Sequence, residues 1–214
     1  MYLFTRRVRL VGGKLRAHMA WATSITEKVT QTGGMQVSLW SQTFSPSVGT
    51  LVWSTFASEL AELEAMNEKL MVDEGYLELV ERGGEFVLPG AVDDSLSMII
   101  HGEALDPDRR AEYVAVVRTT MVAGGMARGI TVGIEIAEKA EQITGLKTSF
   151  LADATGNYGG VRWLTAFANV GELERAQLEL NGNQSFIELI DSQASSVYTD
   201  TPGATSQLIF RRII

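Results

Sequence analysis

The sequence predicts an α+β fold made of two tandem copies of one unit, each in strand-helix-strand-strand-helix-strand order. Three observations carry this. The string Ile25-Thr-Glu-Lys-Val-Thr-Gln-Thr-Gly-Gly-Met35 recurs as Ile136-Ala-Glu-Lys-Ala-Glu-Gln-Ile-Thr-Gly-Leu146, a shift of 111 positions. β-rich runs and helical apolar stripes follow one order in both halves. The charged, proline-containing stretch Gly102–Arg110 lies between them and reads as a linker, giving units of 1–101 and 111–214.

Tyr2–Val11 alternates and is rich in β-formers, so it is a strand that Gly12-Gly13 ends. Leu15, Met19, Ala22, Ile25 and Val29 form the stripe of a helix stopped by Gly33-Gly34. Met35–Phe44 and Thr50–Phe56 are the next strands, joined by the turn Ser45–Gly49. Ser58 caps a second helix in which Leu60, Leu63, Asn67 and Leu70 share a face, with Gly75 at its end. Tyr76–Glu81 reads as a fourth strand and Ser95–His101 as a fifth.

The second copy repeats this. Tyr113–Val122 matches the first strand, with Arg118 on Arg7. A helix around Ile130, Ile134, Ala137 and Ala140 follows, then strands Leu146–Thr155 and Val161–Phe167 joined by the turn Gly156–Gly160, with Gly160 on Gly49 and Phe167 on Phe56. Asn169 and Glu172 have capping-box spacing. The shift drops to 110 there, where Glu172-Leu173-Glu174 matches Glu62-Leu63-Glu64. Phe186–Asp191 matches the strand Tyr76–Glu81, and Ser206–Ile214 is the last strand, with Ser206 back on Ser95.

Bulk properties narrow the function classes. The net charge of −8 disfavours nucleic-acid backbones and anionic membranes, which call for a basic footprint. The chain has no cysteine, so disulfides, thiolate metal sites and cysteine nucleophiles are excluded. The N-terminus lacks signal-peptide order and no apolar run reaches the roughly 18 residues of a membrane span. A cytoplasmic protein is the expectation.

The strand-helix-strand-strand-helix-strand plan is the ferredoxin-like one, an antiparallel sheet with both helices on one face. The open face has to be covered, and packing sheet to sheet is the simple solution. In its order, its length and its extra C-terminal strand the whole chain resembles the dimeric α+β barrel superfamily of antibiotic-biosynthesis-type monooxygenases, NIPSNAP-like proteins and haem-handling enzymes. The resemblance implies two ferredoxin-like units paired as a single-chain α+β barrel, a last strand reaching across to the other unit, and a pocket between sheet and helices. It implies a small apolar or aromatic, quinol-type ligand and cofactor-independent oxygenation. Pairing of the halves within the chain, with a homo-oligomer as a further partner, is the expected assembly. A structural, oligomer-forming barrel without catalysis is the alternative.

Candidate residues follow from side-chain chemistry. His18 is the histidine that a haem-binding branch would use, though its counterpart Gly129 offers no ligand and no metal-spaced cluster accompanies it; no cofactor is otherwise expected. Trp40, Gln42, Trp53 and Ser54 in the first half, and Asp153, Trp163 and Thr165 in the second, supply strand-borne aromatic and polar groups for a pocket. His18, Asp153, Trp163 and Thr165 are the catalytic candidates. In the 111 register Trp163 falls on Val52, which puts Trp53 and Trp163 on opposite sheet faces. Arg7 and Arg118 are anion clamps, or cross-strand partners of Glu78 and Glu188.

Overall fold

The computed structural model describes residues 1–103 and 110–214; residues 104–109, the middle of the predicted linker, lie outside them. The first copy runs β1 (Tyr2–Leu10), α1 (Leu15–Gly33), β2 (Ser38–Thr43), β3 (Thr50–Ala57), α2 (Leu60–Met71), α3 (Glu74–Gly83) and β4 (Val87–His101). The second runs β5 (Tyr113–Thr120), α4 (Met126–Thr144), β6 (Thr148–Asp153), β7 (Gly160–Phe167), α5 (Val170–Gly182), α6 (Gln184–Leu189), a π-helical turn (Ile190–Ala194), α7 (Ser195–Val197) and β8 (Ser206–Arg212). The fold is a ferredoxin-like α+β barrel whose eight strands close in the hydrogen-bonded order β1-β3-β2-β8-β5-β7-β6-β4. Two compact units are distinguished: unit 1 is Met1–Leu96 with Arg211–Ile214, and unit 2 is Ser97–Phe210.

In unit 1, β3 is the middle strand of a β1-β3-β2 antiparallel set, with Arg6 opposite Trp53 and Leu39 opposite Trp53 on its other side. The last residues of the chain extend it: the amide of Ile213 donates to the Leu39 carbonyl at 2.8 Å. Trp21, Leu39, Leu51, Trp53 and Phe86 make the core between sheet and helices. In unit 2, β7 takes the middle place, with Val117 and Phe150 flanking Trp163. Ser97–Ile99 of β4 extends that sheet along β6, Ser97 opposite Asp153.

The segments Tyr76–Glu81 and Phe186–Asp191 are helical, which corrects the strand reading. Tyr76, Leu77, Leu79 and Val80 have the i, i+1, i+3, i+4 spacing of a helix face, and each helix has a cap directly before it. The Asp73 carboxylate accepts from the Tyr76 amide at 2.9 Å, and the Asn183 side chain from the Phe186 amide at 3.0 Å. Glu78 and Glu188 therefore stand on helices and do not meet Arg7 and Arg118 across strands. Arg7 pairs with Asp93 at 3.0 Å, and Arg118 Nε donates to Ser206 Oγ at 2.9 Å.

Asp73 also ties α3 to α1. The Lys28 ammonium, 2.8 Å away, holds its carboxyl down at about 2 from the ordinary 3.8, assisted by the Tyr76 amide and the Thr32 hydroxyl. A carboxyl lowered in the folded state contributes stability that is full above its unfolded value and is lost as pH falls toward 2. Melting temperatures followed from pH 5 to pH 2 are therefore expected to fall less steeply in Asp73→Asn, which keeps a capping oxygen but has nothing to protonate.

Three small insertions and deletions account for the register of the duplication. The helices α1 and α4 match at 111, and Gly34 and Gly145 close them in the same left-handed conformation. The dropped residue lies in the β6–β7 turn, earlier than the capping box. The Leu10 amide bonds to the Gly49 carbonyl and the Met121 amide to the Gly159 carbonyl, so Gly159, not Gly160, stands on Gly49. Trp163 then coincides with Trp53, and the two tryptophans share the helix-facing side, which corrects the opposite-face expectation. The π turn puts one residue back, a usual way for a helix to absorb a single insertion: the amides of Val11 and Val122 bond to the carbonyls of Phe86 and Val197. Two further residues enter before Pro202-Gly203, which repeats Pro89-Gly90 with both glycines at positive φ. Ser206 accordingly stands on Asp93 and not on Ser95.

Candidate functional site

A pocket of about 580 Å³ lies wholly within unit 1, between its sheet, its three helices and the first part of β4. That is within the size range of small-molecule sites. The wall is mainly apolar and includes Phe4, Val8, Trp21, Trp53, Leu63 and Met66. Alternation sends Phe4, Arg6 and Val8 of β1 toward the helices together with Trp53 of β3. Gly83 admits the indole of Trp21 to this wall, since a Cβ there would stand 2.6 Å from Trp21 Cζ2. The indoles are fixed by their N–H groups: Trp21 Nε1 donates to the Leu79 carbonyl at 2.8 Å, and Trp53 Nε1 to Thr26 Oγ1 at 2.7 Å.

Among the polar groups in the wall are Arg6, Asp94 and Tyr76. The Arg6 guanidinium makes a two-pronged pair with Asp94, Nε to Oδ1 at 2.8 Å and Nη2 to Oδ2 at 2.7 Å. Its pKa is raised further by that hydrogen bond and by Tyr76, so it is a permanent cation. The pair is half exposed, and Tyr76 is buried. A cation held by one carboxylate beside a phenolic hydroxyl can stabilise negative charge on a ligand oxygen while the carboxylate accepts a proton.

Unit 2 is built differently in the same places. Val117 stands on Arg6, Phe186 on Tyr76 and, counting along β8 from Ser206, Gln207 on Asp94. The space between its sheet and helices is occupied by Phe150, Trp163 and Tyr198, with ring centroids 5.2 and 5.4 Å apart. The Tyr198 hydroxyl donates to the Gly129 carbonyl at 2.5 Å, and burial raises its pKa far above the usual phenol value.

Of the candidates named from sequence, Trp53 and Ser54 belong to the pocket wall. Arg7, Trp40 and Gln42 alternate onto the other sheet face. There Trp40 Nε1 donates to Ser54 Oγ at 2.9 Å, the Arg212 guanidinium lies 4.3 Å above its ring, and the Gln42 amide donates to the Pro46 carbonyl. In unit 2, Trp163 Nε1 donates to the Gly133 carbonyl at 2.8 Å and Thr165 shares a hydrogen bond with Thr148 at 2.9 Å. Asp153 is paired with Arg162, and Arg118 lies on that same face. His18 is buried, meets Phe86 edge-on at 5.1 Å and has an Nε2 without a hydrogen-bond partner among the described residues, but it is not in the pocket wall. The wall contains neither histidine nor cysteine, so its residues do not fit a haem held through His18. No group of three or more potential metal ligands occurs among the described residues.

Sequence reading missed Arg6, Tyr76 and Asp94. Arg6 is adjacent to Arg7, which drew attention because it recurs in the second copy, whereas the pocket residues are those that do not recur.

No protein-family model matches the sequence, and no curated protein matches it. Solved structures do share its fold along the whole chain. A candidate monooxygenase of Fusobacterium nucleatum superposes with a TM-score of 0.70 at 6% identity, covering 100% of this chain and 92% of that one. One from Lactobacillus acidophilus gives 0.64 at 7% identity, covering 99% and 93%. An anthrone oxidase-like protein gives 0.64 at 12% identity, covering 100% and 92%. No helix is long and apolar enough to cross a membrane among the described residues. By fold, the chain is a ferredoxin-like α+β barrel, with both repeats carried in one polypeptide.

Proposed function

We propose that unit 1 binds a planar aromatic ligand of the phenol, quinol or anthrone type and oxidises it with dioxygen without a cofactor. The observation that carries this is the pocket of about 580 Å³, apolar along most of its wall, with Arg6, Asp94 and Tyr76 in it and no counterpart of those three groups in unit 2. The likeness in fold to an anthrone oxidase-like protein supports the choice of ligand class. In this reading the ligand oxygen meets Arg6 and Tyr76, and the Asp94 carboxylate takes a proton from the activated carbon. The resulting enolate charge is held by the guanidinium. The electron-rich carbon reacts with dioxygen, so that a CH₂ and O₂ become a C=O and water. A ligand carrier without turnover is the second reading, favoured by the filled space in unit 2 that leaves that half a structural role.

Native mass spectrometry of the protein from its own host, together with oxygen uptake on addition of anthrone, tests both readings. The first expects a retained or bound aromatic compound and one dioxygen consumed per ketone formed. Binding that quenches the fluorescence of Trp21 and Trp53 with no oxygen uptake supports the carrier. Absence of both binding and uptake removes the proposal.

A further inference from the structure

We infer, resting on the aromatic-ligand reading above, that the pocket of unit 1 receives its ligand hydrocarbon end first. It thereby selects fused-ring compounds that carry their oxygen substituents on one ring and leave the other bare. The basis is the unequal distribution of polar groups between the rim of the pocket and its floor.

The rim is where wall residues meet solvent. Val80 of α3 and Val92 of β4 are 44% and 53% exposed, although both line the pocket. Gly84, Pro89 and Gly90 beside them are exposed as well. Asp94 follows Val92 by two residues and shares its face of β4, which sets the half-exposed Arg6–Asp94 pair at the same opening. Asn67 of α2, also exposed, adds an amide to the rim.

The floor is the reverse: Val8, Trp21, Val37, Trp53, Met66 and Leu70 are all buried. Its side-chain donors are already used within the protein. The two indole N–H groups go to Leu79 and Thr26, and the Thr55 hydroxyl donates to the Gln36 carbonyl at 2.9 Å. Ser54 turns its hydroxyl to the other sheet face, where it accepts from Trp40. Tyr76 is buried, but its hydroxyl acts on Arg6 and so belongs with the rim group. A ligand hydroxyl on the floor would lose its water and gain no partner, whereas one at the rim meets Arg6, Asp94 or solvent. The carbon that gives its proton to Asp94 stays at the rim for the same reason.

Two fixed indoles make the floor a corner for one flat ring. Trp21 and Trp53 meet edge to face, 78° apart with centroids at 5.8 Å. In unit 2 the positions of Trp21 and Gly83 are held by Val132 and Ala194, packed in one core cluster. The indole and the glycine that admits it thus occur together, in the half that carries Arg6, Tyr76 and Asp94.

The test is calorimetric titration of the whole protein with two isomers, 2,3-dihydroxynaphthalene and 2,6-dihydroxynaphthalene, which differ in whether both hydroxyls are on one ring. The 2,3 isomer is expected to bind at least about tenfold more tightly, the cost of one hydroxyl buried without a partner. Val37→Thr, which sets a hydroxyl in the floor, is expected to narrow that ratio severalfold by favouring the 2,6 isomer. Gly83→Ala, whose Cβ would stand 2.6 Å from Trp21 Cζ2 and drive the indole from its place, is expected to weaken both isomers alike. Thermal melts of the same samples show that each variant is folded, and the isomer comparison itself needs no variant. Equal affinities in the wild type, with both weakened by Gly83→Ala, overturn the orientation and leave the pocket as the aromatic site. A ratio that Val37→Thr leaves unchanged means that rim contacts alone set the preference, and overturns it too. Binding of neither isomer, or binding indifferent to Gly83→Ala, removes the aromatic reading of the pocket and the orientation with it.

Discussion

Replacing Arg6, Tyr76 and Asp94 by valine, phenylalanine and glutamine, the residues unit 2 has at those places, is expected to leave the protein folded and to weaken ligand binding at least a hundredfold. The two halves of this expectation have separate reasons. Arg6 and Asp94 are 43% and 44% exposed, so their ion pair is screened by water and contributes about 0–1 kcal/mol to stability. Tyr76→Phe removes one hydroxyl and keeps the ring that packs with Met66 and Leu70. Unit 2 demonstrates that the same sheet position accepts an apolar residue, since Val117 occupies it beside Trp163. Binding is another matter. Hydrogen bonds to a charged group are worth about 1.5–3 kcal/mol each, and two lost at one ligand oxygen give the hundredfold or more. Fluorescence titration with anthrone, alongside a thermal melt of the same sample, reads both quantities. Unchanged affinity in a folded triple variant would place the ligand's polar end elsewhere.

The comparison of halves also explains what could be read from the sequence. The repeated Glu-Lys…Gln…Gly string marks a helix end and its left-handed glycine, features that backbone physics constrains equally in both copies. Such positions resist change and made the duplication legible. Tyr76–Glu81 was misread because six residues do not separate a short helix from a strand unless the cap before them is weighed, and Asp73 was the available signal. The tryptophans were misplaced for a different reason. A turn absorbs a deletion without disturbing the strands on either side, so the position of the gap is visible only in which glycine carbonyl caps the neighbouring strand. The pocket was least legible of all. Its polar residues come from β1, α3 and β4, and nothing in their local spacing shows that they meet.

The duplication further predicts that Gly133→Ala destabilises the protein by about 2 kcal/mol, and that Phe150→Leu, itself destabilising by about 1–2 kcal/mol, removes most of that cost. A Cβ on Gly133 would stand 2.2 Å from Phe150 Cζ, 2.5 Å from Cε2 and 2.7 Å from Cε1. The ring cannot retreat, being fully buried with its centroid 5.2 Å from that of Trp163. Nor can the helix easily move, because the Gly133 carbonyl accepts the Trp163 indole N–H at 2.8 Å. Helix propensity alone would favour alanine by about 1 kcal/mol, so a destabilising result isolates the steric term. In unit 1 the equivalent positions hold Ala22 and Leu39, both fully buried: a methyl on the helix faces a smaller side chain on the strand. The double variant recreates that pair in unit 2. Urea denaturation of the two single variants and the double one forms a cycle, with an expected coupling of about 2 kcal/mol. Additive losses would mean that the two positions do not share one volume, and that bulk was not exchanged between helix and strand as the halves diverged.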